Sequence, residues 1–249
     1  MWLNADPSTK LQELGLKILL LGDYGTGKSF FAKSMPEPIF LLDFDSGAIG
    51  YAGTRTFVPE CFTALRQQPA QLFPAVEREL DLVLQHQHPA EKEIGEPFKT
   101  IVLDSLTTLT RAAMDYAMLK KPVPPDTPPV WNVHYPLAKV FIDRILDRLR
   151  RFDGFVVVIG HLEYQRNDLT GEILAVPALT GKLQTYIPAI FDEVWFTEVA
   201  QTKNGKQYLI HLAPSGFKRA RSRVRSVLPQ IPETITNEWN SISKFFSEP

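Results

Sequence analysis

With one cysteine, Cys61, among 249 residues, the chain can close no internal disulfide, which fits a reducing compartment. Long hydrophobic runs are missing. The ILLL that follows Lys17 is among the longest, far below the ~18 apolar residues of a membrane-spanning helix. The opening MWLNADPSTK holds no apolar stretch of signal-peptide length. The expectation is a soluble, cytoplasmic protein with no membrane partner. Charge imbalance is absent too: a net charge of −1 gives no global pull toward nucleic acid. Nor is there an internal repeat, or a linker that would force a second domain.

What remains is an ordinary globular composition, 44% hydrophobic and 22% charged, in a chain long enough for one large α/β domain. The reading is a single domain over 1–249: an N-terminal arm over 1–15, a core over 16–214, and a basic segment with a C-terminal tail over 215–249. Two stretches depart from the average. Much of the proline gathers in KKPVPPDTPPV, Lys120 to Val130, which can form neither helix nor central strand. FKRARSRVRS, Phe217 to Ser226, holds five cations and no anion.

Four short apolar runs read as buried parallel strands: Leu16 to Leu21, Ile39 to Leu42, Thr100 to Leu103 and Phe155 to Ile159. Between them the spacing predicts helices. One starts at Gly27 or Lys28 and is stopped by Pro36 and Pro38; the others cover 70–87, 106–119 and 137–149. The last shows Leu137, Val140, Phe141, Ile145 and Leu149 at amphipathic spacing. Strands alternating with helices predict a mostly parallel sheet with helices on both faces. After Gly160 a polar segment, Leu162 to Pro177, precedes the stretch Leu179 to Ile190. Glu193 to Val199 and Gln207 to Ala213, joined through Asn204-Gly205, then predict a C-terminal antiparallel hairpin.

Gly22-Asp23-Tyr24-Gly25-Thr26-Gly27-Lys28-Ser29 fits G-x-x-x-x-G-K-[ST] at every specified position, between a buried strand and a helix. The glycines let the backbone wrap around phosphate oxygens with several N–H groups pointing inward. The helix that follows adds its positive end. Lys28 is expected to reach the β- and γ-phosphates and Ser29 to take a place on Mg²⁺; Phe30 completes the cofactor-binding set. The predicted cofactors are ATP and Mg²⁺.

Asp104 stands at the carboxyl end of a strand and is the second carboxylate a nucleotide–Mg²⁺ site needs. An aspartate there also caps a helix well, although Ser105 suits the cap better. Because a serine and not a glutamate follows it, the water-activating base must come from elsewhere. Asp43 and Asp45 both follow the second strand, and Asp45 is the chosen base; the alternative is a loop aspartate that makes a turn with Gly47. His161, at the end of FVVVI, is placed to touch a γ-phosphate, or is a satisfied polar residue at a strand end. Arg219, Arg221, Arg223 and Arg225 share the odd positions, so an extended backbone points all four to one side. That face favours phosphate, of DNA or of a neighbouring subunit's nucleotide; the alternative is an edge strand blunted with charge.

Taken in order, GDYGTGKS, FLLDFDSG, VLDS, VVVIGH and the ARSR before VLPQIP resemble the RecA superfamily. Within it the chain looks like the short phage-encoded RecA-core ATPases of single-strand annealing and recombination, from about Lys17 to Pro232. The resemblance implies a RecA-like core, DNA-dependent ATP hydrolysis and the cytoplasm of a bacterial host. By position, Asp45 matches the family's catalytic glutamate, one methylene shorter, and His161 a polar γ-phosphate sensor. Arg221 and Arg223 match a K-x-R-like pair that crosses to the neighbour's ATP, with Arg221 replacing the more usual lysine. The implied catalytic set is Lys28, Asp45, Asp104, His161, Arg221 and Arg223. The family's DNA-contacting loops correspond to Lys120 to Trp131 and Leu162 to Ala178. The second holds Arg166, with Lys182 nearby, but also Glu163, Asp168 and Glu172. Implied partners are single-stranded DNA, further copies of the chain in a filament or ring, and a single-strand-binding protein.

The leading expectation is therefore an ATP-dependent, single-stranded-DNA-binding recombinase or annealing ATPase. A P-loop phosphotransferase is a rival, but it needs an arginine-bearing lid, and Arg166 stands alone in the only candidate segment. A nucleotide-gated assembly module with little turnover suits an aspartate at position 45. A hexameric helicase motor would want a further domain.

Overall fold

Strands that are apolar on both sides are stable only where both faces of their sheet are covered. The computed structural model, which describes residues 15–246 except 66, 167, 169, 170 and 204, places the four apolar runs in that position. The first half of the chain forms β1 (Lys17–Leu21), α1 (Lys28–Lys33), β2 (Ile39–Asp43), β3 (Thr56–Phe57), α2 (Cys61–Ala64), α3 (Pro69–Leu84), α4 (Pro89–Ile94) and β4 (Thr100–Asp104). The middle forms α5 (Leu106–Lys120), α6 (His134–Arg151), β5 (Phe155–Gly160), β6 (Leu162–Arg166), β7 (Ile173–Pro177) and α7 (Leu183–Ile190). The last part forms β8 (Glu193–Thr202), β9 (Gly205–His211), β10 (Arg221–Ser222), α8 (Arg223–Val227), β11 (Thr234–Thr236) and α9 (Asn240–Ser243).

The main sheet runs β11-β9-β8-β1-β5-β4-β2-β3, with β10 also on β8. From β8 to β3 every pair is parallel, and β5 lies between β1 and β4. β9, β10 and β11 add antiparallel pairs at one side, so the sheet is mixed, as the Asn204-Gly205 signal predicts; Asn204 itself lies outside the described residues. The sheet continues past residue 214 through β10 and β11, so the basic segment and tail are part of it. The arm over 1–15 falls, but for Gly15, outside the described residues.

Each face has its own core. On one, α3, α5 and α6 bring Phe73, Leu109, Phe141 and Ile145 against Leu19, Leu42 and Val158. On the other, Phe31 of α1 meets Trp195 edge-on at 5.7 Å, beside Ile235, Trp239 and Ile242 of the tail. Phe31 is fully buried, and truncating it to alanine should cost ~3–5 kcal/mol. α6 starts three residues before the predicted Leu137, and its buried stripe is Ala138, Phe141, Ile142, Ile145, Leu146 and Leu149; Val140 faces solvent. Its first residue, His134, accepts from Val130 N at 2.7 Å and, so tautomerised, donates from Nε2 to Lys121 O at 2.8 Å. One buried imidazole thus pins both ends of the proline-rich stretch.

Several elements depart from the sequence reading, among them the short α2, α8, β11 and α9. α4 forms between the predicted helix over 70–87 and the strand from Thr100, where the sequence reading has no element, and the short β3 is likewise additional. The polar segment after Gly160 is a two-stranded hairpin, β6 against β7, separate from the main sheet.

Candidate nucleotide site

β1 delivers the chain into the phosphate loop, and Gly22 N–H is tied to Gly160 O at 3.3 Å, so the loop begins against the end of β5. Gly25 (φ +70°) and Gly27 (φ +86°) hold the left-handed conformation that other residues avoid. Gly22 is needed for space instead, since a Cβ there would sit 1.9 Å from Thr197 Oγ1. Thr197 of β8 lies 2.6 Å from Thr26 Oγ1, which itself reaches Asp23 O at 2.7 Å. Tyr24 and Phe30 are exposed beside the loop.

From Gly25 to Ser29 no backbone N–H finds a backbone acceptor among the described residues. Lys28 Nζ lies within the loop, donating to Gly22 O at 3.0 Å and Asp23 O at 2.6 Å. Burial lowers the Lys28 pKa, opposed by the charges of Asp104, Asp23 and Asp45. A curved run of free donors beside an ammonium fits the phosphates of a nucleoside triphosphate. Ser29 Oγ donates to Asp104 Oδ2 at 2.9 Å. A hydroxyl and a carboxylate in contact are oxygen ligands of the kind Mg²⁺ takes beside phosphate and water, so these two residues fit that ion.

Asp104 is buried, and its Oδ2 also accepts from Tyr51 OH at 3.2 Å. Burial pushes the Asp104 pKa up, and the nearby charges of Asp45 and Asp43 add to it, against the hydrogen bonds from Ser29 and Tyr51. The helix cap is supplied by Ser105, whose Oγ accepts from Thr108 N at 3.4 Å, which leaves the Asp104 carboxylate turned to the loop.

The two aspartates after β2 separate cleanly. Asp43 accepts from Gly47 N at 2.7 Å and Ala48 N at 3.3 Å, so both its oxygens hold the turn. Asp45 Oδ1 instead accepts from Ser105 Oγ at 3.0 Å, and its Oδ2 lies 3.5 Å from His161 Nε2. Burial raises the Asp45 pKa, but hydrogen bonds from His161, Thr108 and Ser105 outweigh it and hold the group at about 2. His161 N–H donates to Thr107 Oγ1 at 3.3 Å, and its half-exposed ring joins Asp45 at the carboxyl ends of β4 and β5. Lys28, Ser29, Asp104, Asp45 and His161 therefore gather at one end of the parallel strands.

The four arginines do not share a face. Only Arg221 and Ser222 are extended; Ser222 Oγ then accepts from Arg225 N and caps α8, which turns the chain. Arg219 pairs with Glu172 at 3.1 Å, Arg223 with Asp192 at 2.6 Å and Arg225 with Glu233 at 3.6 Å. Arg221 donates to Pro188 O at 2.8 Å and to Phe191 O. Arg221 sits opposite Val194, which pairs with Leu19, so the chain runs from there away from the phosphate loop.

Sequence reasoning missed Tyr51, Thr197 and Tyr164. Tyr164 of β6 donates to Asp23 Oδ2 at 2.6 Å and so joins the hairpin to the phosphate loop. Their partners lie 53, 171 and 141 positions away, so no local motif announces them.

The sequence matches an AAA domain family, AAA_24, over residues 14–224. No curated protein matches it. Among solved structures the chain is similar to an ATPase from the type III secretion system of pathogenic bacteria, at 13% identity and TM-score 0.46, with 78% of this chain and 56% of that one covered. It is also similar to a KaiC-like protein from Pyrococcus horikoshii OT3, at 11% identity and TM-score 0.45, with 84% of each covered. The chain thus spans little more than half of the secretion ATPase's length. No helix among the described residues is long and apolar enough to cross a membrane. The family match takes in the phosphate loop, Asp45, Asp104 and His161, and on that extent the chain belongs to this AAA domain family.

Proposed function

We propose that the chain is an ATP-hydrolysing, single-stranded-DNA-binding recombinase or annealing ATPase that works as a head-to-tail homo-oligomer. The phosphate loop takes ATP, and Ser29 with Asp104 holds Mg²⁺, which supplies charge neutralisation at the β- and γ-phosphates. Asp45 orients water and His161 contacts the γ-phosphate. The observation that carries the DNA reading is a cavity of about 720 Å³ between α5, the first turns of α6 and residues 180–185. Trp131 and Tyr135 line it with ring centroids 4.6 Å apart, Trp131 is 71% exposed, and Lys182 stands at its wall beside Lys139, which is paired with Asp143. An exposed aromatic beside an ammonium group suits an unpaired base with its phosphate, whatever the base.

ATP hydrolysis measured with and without single-stranded DNA tests the reading. Stimulation by DNA that is lost in Trp131→Ala is the expected result. Phosphate transfer to a small acceptor without DNA stimulation would favour a phosphotransferase instead. One observation favours slow turnover: a carboxylate held at about 2 is a poor proton acceptor, so Asp45 acts by orienting water and the chain behaves partly as a nucleotide-gated assembly module.

A further inference from the structure

Asn237 follows directly on β11, 210 positions from the phosphate loop, and is 1% exposed. Its Nδ2 donates to Gly27 O at 2.9 Å and lies 3.4 Å from Thr26 O. Its Oδ1 is buried with no partner among the described residues. The opposite amide orientation would set that oxygen against two carbonyl oxygens, so the contacts fix which way the side chain points. Its own backbone N–H is held by Tyr208 O at 3.1 Å, and two residues on, Trp239 N–H donates to Ser34 Oγ at 2.8 Å, just past α1. The fit behind the loop is tight: a Cβ on Gly27 would come within 2.2 Å of Nδ2.

We infer that Asn237 is a positioning residue for phosphate binding, which sets the direction of two donors in the cradle without touching the nucleotide. A trans peptide is planar, with its N–H opposed to its C=O. Holding Thr26 O and Gly27 O on the outer side therefore turns the N–H groups of Gly27 and Lys28 to the inner side. Gly27 O also accepts from Phe31 N–H at 3.0 Å, so the Thr26–Gly27 peptide depends most on this side chain; left free, it can rotate between Gly25 and Gly27, which resist rotation least. A neutral donor is required at this place. A carboxylate would be repelled by both carbonyls, and a hydroxyl on a shorter side chain reaches at most one.

The inference rests on the loop holding a nucleoside triphosphate, and the experiment separates the two. A fluorescent ATP analogue with Mg²⁺ is titrated into wild type, Lys28→Ala, Asn237→Ala and Asn237→Asp, each checked for folding by circular dichroism. Wild type that fails to bind, with Lys28→Ala no different, removes the nucleotide reading itself. If wild type binds, Asn237→Ala should weaken the analogue by ~10-fold and speed amide hydrogen exchange across 22–29 in protein without nucleotide. Asn237→Asp should bind worst at pH 8 and recover toward pH 5.5, as the new carboxyl gains a proton to donate to Gly27 O. Its ratio to wild type cancels every titration the two proteins share. A folded Asn237→Ala within twofold of wild type, or an Asn237→Asp ratio independent of pH, overturns the inference. Should Asn237→Ala not fold, the Asn237→Asp ratio decides alone.

Discussion

Tyr164 and Asp23 share a 2.6 Å hydrogen bond between the β6–β7 hairpin and the second residue of the phosphate loop. The ring of Tyr164 meets Phe217 edge-on at 5.3 Å, and Phe217 O accepts from Ala175 N at 2.9 Å, so both strands of the hairpin bear on this contact. Burial pushes the Tyr164 pKa up to about 12, with the Asp23 bond adding to it, so the phenol stays a donor at any working pH.

Tyr164→Phe removes that bond and keeps the ring. Because the bond is exposed, stability should change by less than ~1 kcal/mol. The communication between hairpin and loop should suffer more: stimulation of ATP hydrolysis by single-stranded DNA is expected to fall severalfold. Equal stimulation in the variant and wild type would show that the hairpin does not report to the loop.

Asp45 and Asp43 should separate in the same way that their contacts do. Asp45→Asn is expected to bind nucleotide normally and to lose turnover by ~10²-fold or more in single-turnover assays. Asp43→Asn acts on the turn held by Gly47 and Ala48 and should cost ~0.5–2 kcal/mol of stability, as the loss of a cap does. The folded-state pKa of Asp45 lies below the ordinary carboxylate value of ~3.9, so its stabilisation is present above that value. It is lost as pH falls from about 4 toward 2. Asp45→Asn should lack this acid-side loss, which pH-dependent unfolding measures.

Lys17 offers a test on the alkaline side. Its Nζ donates to Gly154 O at 2.6 Å, and burial lowers its pKa to about 8, against the charges of Asp153 and Asp192. A base depressed by folding gives up its proton first in the folded state, so the unfolded chain holds more protons between about 8 and ~10.4. Wild type should therefore gain stability relative to Lys17→Met as pH rises from 8 to 10. A flat difference would mean that the ammonium is well solvated where it lies.

The proposed assembly makes a kinetic prediction. Arg221 and Arg223 run away from their own phosphate loop, so in the proposed assembly the nucleotide they would reach is a neighbour's. Lys28→Ala subunits mixed with Arg221→Ala/Arg223→Ala subunits should recover hydrolysis above the sum of the two alone, because one intact half-site can form at a mixed interface. An arginine supplied in trans is worth ~10³-fold or more in rate, enough to make the recovery measurable. Additive rates, or an active protein that stays monomeric at micromolar concentration with ATP and DNA, would end the proposal.

The parallel strands were legible because LKILLL, IFLL, TIVL and FVVVI have no polar face, and only the middle of a covered sheet accepts that. The phosphate loop was legible because its chemistry is local: one run of eight residues carries the turn, the lysine and the metal hydroxyl. Asp45 was chosen over Asp43 by its position in the family pattern; in the fold Asp45 lies beside Ser105 and His161, while Asp43 holds the turn. The arginine face failed for a physical reason. A period of two assumes an extended backbone, and Ser222 ends the extension one residue after Arg221 by capping α8. The hairpin after Gly160 was hidden by Glu163 and Arg166, which make an exposed two-stranded ribbon read as loop. Thr197, Tyr51 and Asn237 became visible only through folding, since each completes the site from a distant part of the chain.

The brace behind the phosphate loop also sets an order of events in the cell. A ribosome emits Gly27 about 210 residues before Asn237, an interval of roughly 10–40 s at ordinary rates of synthesis. During that time the loop motif is complete, yet β11 does not exist to hold it. On the inference drawn above, the nascent chain would carry the signature of nucleotide binding without the rigidity to use it. Affinity for ATP should arrive late, with the last strand, so that premature release of the chain yields fragments that bind little nucleotide.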